Sequence, residues 1–348
     1  MNFSRRQIGG LALAAMAGLA SSRVSAASKG KVYFLIPDSG GPFYPASAKV
    51  EAAFLQQIGY EMITLDGGNK SDLQLNQIDN IINLNPTAIV LAAVDYDAAV
   101  PGVEKARAAG IPVIAFDREI KSTKLDFTSV AGTIEIGRIA GDEAIRLLKE
   151  RKGSLKGKVL QIMGDPGDSY VVGLAKGFGE KLAGLPNVAL ITKPTPQWEP
   201  TNAGSTAQNQ LQANPDIDVI FYHSGYLASA VQGALEAAGK KPGEVMCLDG
   251  DGDPGGLAQI RAGWQQASVA QPMYAQALAV AEVLDKLVNK QPLNVGTYRV
   301  LGLDAALTIE SWGPYFKIPG KVVTKENVDD PDVWGNGKIP DVKVTPIG

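Results

Sequence analysis

Pro-Val-Ile-Ala-Phe-Asp-Arg, residues 112–118, is an apolar run that ends abruptly in a carboxylate beside a guanidinium. A parallel strand that is covered by helices on both faces has such a short, continuous apolar run. In open α/β sheets, ligands bind beyond the carboxyl ends of these strands. We therefore interpret residues 112–117 as a buried strand that presents two polar side chains, Asp117 and Arg118, to a ligand.

Short apolar runs alternate with longer segments of helical period on both sides of this strand, a pattern that predicts βα units on parallel sheets. A first series predicts strands at 32–37, 61–66, 88–94, 112–117 and 126–130, with helices at 43–57, 71–84 and 96–109. After Gly132, a second series predicts helices at 134–151, 171–183, 203–212, 227–238, 254–261 and 272–289, with strands at 158–163, 188–193, 219–222, 244–249 and 267–271. The fold class is therefore α/β, with two doubly wound parallel-sheet lobes whose carboxyl edges face one another across a cleft.

The N-terminal segment predicts an export signal peptide over residues 1–26. It combines Arg5 and Arg6, an apolar run at 9–20 and a Val-Ser-Ala cleavage pattern at 24–26. The apolar run is shorter than the roughly 20 residues that a membrane span needs, so we expect the mature protein to be released. Residues 4–8 resemble a twin-arginine signal that lacks its Leu-Lys part, and an ordinary Sec signal remains an equal alternative.

The charge of the mature chain argues against a nucleic-acid partner. Removing residues 1–26 takes away three arginines and no acids, which leaves 30 basic against 36 acidic residues, a net charge of −6. The remaining 322 residues (348 − 26) are enough for two lobes with separate cores. The single cysteine, Cys247, lies in an apolar run, and we expect a buried small hydrophobic residue rather than a reactive thiol.

Polar and aromatic residues follow the predicted strands of the first lobe. After the first strand, Gly40 and Gly41 allow a tight turn, and Phe43 and Tyr44 open a helix whose rings could wall the cleft or pack in the core. After the fourth, the pair at 117–118 has the chemistry for hydroxyl recognition, because a carboxylate accepts and a guanidinium donates several hydrogen bonds. The alternative is a helix cap followed by a surface arginine.

In the second lobe, the strand ends place Asp168, His223, Ser224 and Asp249 at the same edge, as candidate ligand contacts. A hydrolase would need a serine or cysteine nucleophile beside His223, and the sequence has no G-x-S-x-G elbow, so a ligand contact or a role in loop structure is favoured over a general base. Asp249 also opens a calcium-like pattern, whose twelfth position is Ile260 instead of glutamate. Neither G-x-G-x-x-G nor a P-loop motif occurs at the required place, so we predict no metal and no cofactor.

Taken together, several segments resemble the periplasmic binding proteins of the ribose-binding type, the sugar receptors of ABC importers that share their core with LacI-type repressors. The segments that carry the resemblance are 42–44, 114–118, 139–141, 176–178, 245–250 and 271–272. The resemblance implies a type I periplasmic binding protein with a three-segment hinge. Its crossings would lie near 130–132, near 271–272 and in the tail after Gly302. The N-terminal lobe would then comprise residues 27–131 and about 272–305, and the C-terminal lobe residues 132–271 and about 306–348, including a covering tail.

The resemblance also implies a set of ligand contacts, which fall on Asp38, Ser39, Phe43, Tyr44, Asp117, Arg118, Trp198, Asp249 and Gln271. Two features depart from the ribose pattern. Residues 171–174, Val-Val-Gly-Leu, lack the usual arginine, and His223-Ser224-Gly225 replaces a common aspartate or asparagine pair. Ribose is therefore disfavoured relative to a polyol, a deoxy or amino sugar, or another small hydroxylated ligand.

The expected function is that of a monomeric periplasmic receptor. It would capture a small neutral sugar or polyol and deliver it to an ABC permease of the inner membrane, without catalysis. One alternative is a receptor for a signal such as a cyclic furanosyl autoinducer. Another is an exported hydrolase or isomerase that uses His223 with Asp168 or Asp249. A transcriptional regulator is disfavoured by the export signal and by the lack of a basic DNA-reading module before Lys31.

Overall fold

The computed structural model describes residues 28–347, so the predicted signal peptide, with its Sec or twin-arginine character, lies outside the described residues. The strands are β1 (Gly30–Ile36), β2 (Tyr60–Asp66), β3 (Ala88–Leu91), β4 (Val113–Phe116), β5 (Phe127–Ala131), β6 (Gly157–Ile162), β7 (Val188–Lys193), β8 (Ile217–Tyr222), β9 (Met246–Asp249), β10 (Ala267–Ala270), β11 (Gly296–Val300), β12 (Leu303–Glu310), β13 (Gly313–Ile318) and β14 (Lys321–Val323). The helices are α1 (Phe43–Gln57), α2 (Ser71–Ile82), α3 (Val100–Ala108), α4 (Thr133–Lys152), α5 (Ser169–Leu182), α6 (Pro200–Ala213), α7 (Ala228–Ala237), α8 (Pro254–Ala262) and α9 (Met273–Val288). Among these helices, none has the length and apolar character required to cross a membrane.

The first lobe is built on a sheet with the strand order β11-β12-β13-β5-β4-β3-β1-β2. From β13 to β2 the neighbouring strands are parallel, and β12 pairs antiparallel with both β11 and β13. Alternate residues of β1 are buried on opposite faces: Val32 and Phe34 join the core that includes residues of α1 and α9, and Tyr33 and Leu35 join the core of α2 and α3. Burial on both faces explains the continuous apolar runs in the sequence.

The second lobe has the strand order β14-β10-β9-β8-β6-β7, which is parallel except for the edge strand β14. Its two faces are covered by α4 and α5 and by α6 and α7. Helices α4 and α5 approach so closely that a Cβ atom on Gly177 would clash with the carbonyl oxygen of Ile134. A glycine is therefore required there, in the Lys-Gly-Phe segment at 176–178. The two lobes confirm the predicted doubly wound architecture, with antiparallel strands added at the edges.

The chain passes between the two sheets at residues 131–133, 270–273 and 318–321. The third passage comes later than expected, because residues 306–318, which we assigned to the C-terminal lobe, form most of β12 and all of β13 in the first sheet. The sequence pattern missed the hairpin before β12, whose turn places both Leu301 and Gly302 at positive φ (46° and 79°). Such turns usually carry asparagine, aspartate or glycine at the first of these positions, so leucine gave no signal.

Candidate functional site

A cavity of about 170 Å³ lies between the lobes, where the carboxyl ends of β1 and β4 face those of β6, β8 and β9. Nine of the twelve predicted site residues line it: Asp38, Phe43, Tyr44, Asp117, Arg118, Asp168, Trp198, Ser224 and Gln271. Both lobes and the second crossing therefore contribute side chains to a single cavity.

Three predicted contacts lie outside this lining. Ser39 is exposed, and its hydroxyl donates to Asp66. His223 is fully buried, with Nε2 3.0 Å from Nε2 of Gln161. Asp249 accepts from Nε2 of Gln265 (2.8 Å) and from the hydroxyl of Ser268, so it ties β9 to the segment around β10. None of these three side chains lines the cavity.

The burial of His223 bears on the hydrolase alternative. Burial lowers the pKa of this imidazole to about 3, so the side chain is neutral. It packs against Phe221, with the ring centroids 5.2 Å apart. A neutral ring that does not line the cavity lacks the position of a general base.

Asp117 and Arg118 turn into the cavity directly after β4. Asp117 has a left-handed backbone (φ 63°), which is uncommon for a residue other than glycine and is found preferentially at functional sites. Arg118 is 4% exposed, and its Nη1 donates to the carbonyl oxygens of Ala93 (2.8 Å) and Val94 (3.0 Å). The guanidinium is thereby held in one orientation at the cavity wall.

An ion pair joins the two lobes across the cleft. Nη2 of Arg118 lies 2.8 Å from Oδ2 of Asp168, and both side chains are at least 95% buried. Asp168 also caps α5 by accepting from the backbone N–H of Tyr170 (2.9 Å), and Nε1 of Trp198 donates to it (3.2 Å). Burial raises the pKa of Asp168, and the charge of Arg118 opposes that rise. One carboxylate therefore links the first lobe, helix α5 and the indole ring.

The carboxyl group of Asp117 is buried. Its Oδ2 accepts from the Tyr44 hydroxyl at 2.8 Å. Burial and then the nearby charge of Asp168 raise its pKa to about 7, against the opposing effects of the tyrosine hydrogen bond and of Arg118. Near neutral pH, this group can therefore accept or donate a proton in a hydrogen bond.

Asp251 lines the second lobe's side of the cavity, although the sequence suggested only Asp249 at this edge. The hydroxyl oxygen of Ser224 lies 2.7 Å from Oδ2 of Asp251 and 2.8 Å from Oδ2 of Asp253. One hydroxyl has one proton to donate, so it can satisfy both contacts only when one carboxyl group is protonated. Burial and the neighbouring Asp253 raise the pKa of Asp251 well above its ordinary value, in agreement with that arrangement.

Three buried polar atoms of the cavity lining have no hydrogen-bond partner among residues 28–347: Oδ1 of Asp117, Nε of Arg118 and Oε1 of Gln271. Leaving a buried polar group unpaired costs about 1–3 kcal/mol, so such groups call for a partner. The set contains one donor and two acceptors, on Asp117 and Arg118 directly after β4 and on Gln271 at the second crossing. It can bind a small molecule that carries several hydroxyl groups.

Aromatic rings form part of the walls. Trp198 follows Gln197, and both have a left-handed backbone (φ 55° and 56°). The indole lies so close to Gly164 that any Cβ atom there would clash with the ring. Phe43 packs edge-on against Tyr44, at a centroid distance of 5.2 Å. These apolar faces can pack against the C–H groups of a sugar or polyol.

Sequence reasoning missed several lining residues, namely Gly40, Gly41, Pro42, Asn69, Tyr170, Gln197, Glu199, Tyr226 and Asp251. Tyr170 and Tyr226 come soon after predicted strand ends, a position that could have identified them. Asp251 lies two residues after Asp249 at the same strand end, where the prediction includes Asp249 alone. Among the described residues, no group of three or more His, Cys, Asp or Glu side chains is arranged to hold a metal ion.

Residues 32–292 match the family described as a periplasmic binding protein domain. The chain belongs to this family. The D-apiose import binding protein of Actinobacillus succinogenes is 26% identical over 78% of this chain and 86% of its own length. The ribose import binding protein of Salmonella typhimurium is 27% identical over 80% and 91%. A carbohydrate transporter solute-binding protein from Agrobacterium radiobacter, solved in complex with D-arabinose, aligns over 89% of this chain and 99% of its own, with a TM-score of 0.77 and 18% identity.

Membership of the periplasmic binding protein family confirms the resemblance drawn from the sequence and the type I fold. The similar proteins are binding components of importers, and the family is one of receptors, which confirms the prediction that the chain is not an enzyme. The matched segment ends at residue 292, before β11, so the last three strands of the first sheet and the C-terminal tail lie beyond it.

Proposed function

We propose that this periplasmic binding protein captures a small neutral sugar or polyol in the interlobe cavity and delivers it, unchanged, to an ABC permease of the inner membrane. The observation that carries the proposal is the set of unpaired buried atoms on Asp117, Arg118 and Gln271. A neutral ligand with hydroxyl groups offers these side chains both donors and acceptors without bringing a charge into the cavity. The similarity to the import binding proteins for D-apiose and ribose supports the same ligand class.

The size of the cavity supports a monosaccharide or a similarly small polyol. Its volume of about 170 Å³ is well below the roughly 300–1,000 Å³ of pockets that hold drug-sized ligands. The C-terminal lobe presents Tyr170, Ser224 and Asp251 and no basic side chain to the cavity, which favours a polyol or a modified sugar over ribose itself.

Capture operates through closure of the lobes. The closed arrangement is held by the ion pair between Arg118 and Asp168, and by the backbone N–H of Glu119, which donates to Oγ of Ser169 at 2.6 Å. A ligand that bonds to both lobes binds the closed state more tightly than the open one, and only this difference in affinity shifts the population. We further propose that the receptor acts as a monomer in the periplasm after removal of residues 1–26.

Thermal-shift screening of the purified mature protein tests this function. A ligand at 100 times its dissociation constant stabilises the protein by about 2.7 kcal/mol, a clear rise in melting temperature. We expect at least one pentose, hexose, deoxy or amino sugar, or polyol to raise it. The panel also contains amino acids, inorganic anions and furanosyl signals. If these compounds raise the melting temperature and no sugar or polyol does, the proposed ligand class is wrong.

A further inference from the structure

The segment after β14 passes between the lobes once more. We call residues 324–347 the C-terminal strap. Its first part lies on the second lobe, where Val328 and Val333 pack in a small core with Leu257 and Ile260 of α8. Nη2 of Arg261, also in α8, lies 2.7 Å from Oδ1 of Asp329. This part of the strap is therefore fixed to the C-terminal lobe.

The last part of the strap lies on the first lobe. The side chain of Gln57, at the end of α1, donates to the carbonyl oxygen of Val342 (3.1 Å) and accepts from the N–H of Val344 (3.2 Å). Val344 is 6% exposed and belongs to the core that α1 and α9 share. Between residues 333 and 342 the strap therefore spans the two lobes, in addition to the three passages already described.

Trp334 occupies this passage and contacts both walls of the ligand cavity. Its Nε1 donates to the carbonyl oxygen of Asp251 at 2.8 Å, and its ring packs edge-on against Phe43 at a centroid distance of 5.4 Å. Its own carbonyl oxygen accepts from the Tyr274 hydroxyl of α9 at 3.3 Å. The side chain is 2% exposed and does not line the cavity itself. Its two partners, Phe43 and Asp251, line the cavity from opposite lobes.

We infer that Trp334 is a positioning residue for the ligand cavity, which acts through Phe43 and Asp251 and favours the closed arrangement of the lobes. The physical reason is that one indole contacts the first lobe through its ring, at Phe43, and the second lobe through its N–H, at Asp251. Separation of the lobes breaks at least one of these contacts, so they stabilise the closed state relative to the open one. The inference rests on the proposed function, because closure matters only if a ligand is captured between the lobes.

The test compares Trp334→Phe with wild type and with Trp264→Phe as a matched control. Phenylalanine keeps an aromatic ring against Phe43 and removes the N–H group that donates to the carbonyl oxygen of Asp251. A net hydrogen bond of about 0.5–1.5 kcal/mol corresponds to a two- to tenfold change, so we expect ligand dissociation about two- to tenfold faster in stopped-flow measurements. Trp264 is partly buried against the core of α6 and α7 and does not line the cavity, so its variant should release ligand at the wild-type rate.

A second readout needs no ligand and separates this inference from the proposed function. Spin labels on cysteines placed at the exposed positions Leu73, in α2, and Gln208, in α6, report the distance between the lobes. The native Cys247 does not react with the label, because it is buried and burial raises its pKa to about 12. Trp334→Phe should shift the distance distribution of the ligand-free protein toward longer distances. Unchanged distances together with an unchanged dissociation rate overturn the inference. A shifted distribution in a protein that binds no sugar or polyol supports the strap's role and refutes the proposed ligand instead.

Discussion

Replacing Arg118 with alanine removes the side chain that connects the two lobes and that, in the proposed function, donates to the ligand. Arg118 donates to two backbone carbonyl oxygens and pairs with Asp168 across the cleft, and its Nε has no hydrogen-bond partner among the described residues. In Arg118→Ala, the ligand loses a charged donor and the carboxyl groups of Asp117 and Asp168 lose the positive charge that faces them. Both effects weaken the closed, ligand-bound state.

The magnitude follows from the number of contacts. A hydrogen bond to a charged group contributes about 1.5–3 kcal/mol, so loss of the ligand's bond to Nε alone should weaken binding about 10- to 150-fold. Removing one partner of a buried ion pair costs about 3–5 kcal/mol, because the other charge stays buried. Part of that cost destabilises only the closed state, because Asp168 regains contact with water when the lobes separate. The expected loss of affinity is therefore at least tenfold.

Isothermal titration calorimetry with the sugar or polyol found by screening measures this effect. Arg107→Ala is the matched control: Arg107 binds Asp126 within the first lobe, at 3.0 Å and 3.1 Å, and does not line the cavity. It should bind ligand within about twofold of wild type, at some cost in thermal stability. Arg118→Lys keeps the charge and should bind more weakly than wild type and more tightly than Arg118→Ala. Equal dissociation constants for wild type and Arg118→Ala would refute the reasoning.

Three further predictions concern the pH dependence and the walls of the site. The folded-state pKa of Asp117 is about 7, above the ordinary 3.8, so its protonated form stabilises the ligand-free protein at low pH, and that stability is lost as the pH rises through 7. Asp117→Asn should therefore raise the calorimetric melting temperature more at pH 8 than at pH 5. An equal rise at both pH values would contradict this prediction. Ser39→Ala should leave the dissociation constant within about twofold, because this hydroxyl lies outside the cavity lining; a tenfold loss in calorimetry would place it at the ligand. Gly164→Ala should weaken binding at least tenfold, because the new methyl group displaces the Trp198 ring. The control Gly179→Ala should not weaken binding, because no heavy atom lies within 4 Å of its Cβ position. Equal affinities of the two variants would show that the indole position is unimportant.

The central elements of the fold follow from hydrophobic pattern, because strands buried on both faces leave continuous apolar runs such as that before Asp117. The rule that ligands bind at the carboxyl edge then located Asp117, Arg118 and Asp168 correctly at one cavity. The β-hairpins after residue 295 carry no such run. The positive φ of Leu301 depends on tertiary context, so this part of the first sheet could not be foreseen.

At the end of β9, the sequence shows which carboxylates are near the edge of the sheet but not which one lines the cavity. Asp249 is the last residue of the strand and binds Ser268 beside it, and the chain must pass through Gly250 before Asp251 turns to the cavity. That choice depends on the path of a loop. Trp334 is a similar case, because nothing local to residues 330–336 indicates that their contacts lie 83 and 291 residues away, at Asp251 and Phe43 (334 − 251 and 334 − 43).

A crystal structure of the mature protein grown with the sugar or polyol that stabilises it tests the central claim most directly. The account predicts the ligand between the lobes, with hydroxyl groups within about 2.5–3.2 Å of Oδ1 of Asp117, Nε of Arg118 and Oε1 of Gln271. It also predicts a carbon face of the ligand against Phe43 or Trp198. Electron density for the ligand elsewhere, or in the cavity with these three atoms still unpaired, would contradict it.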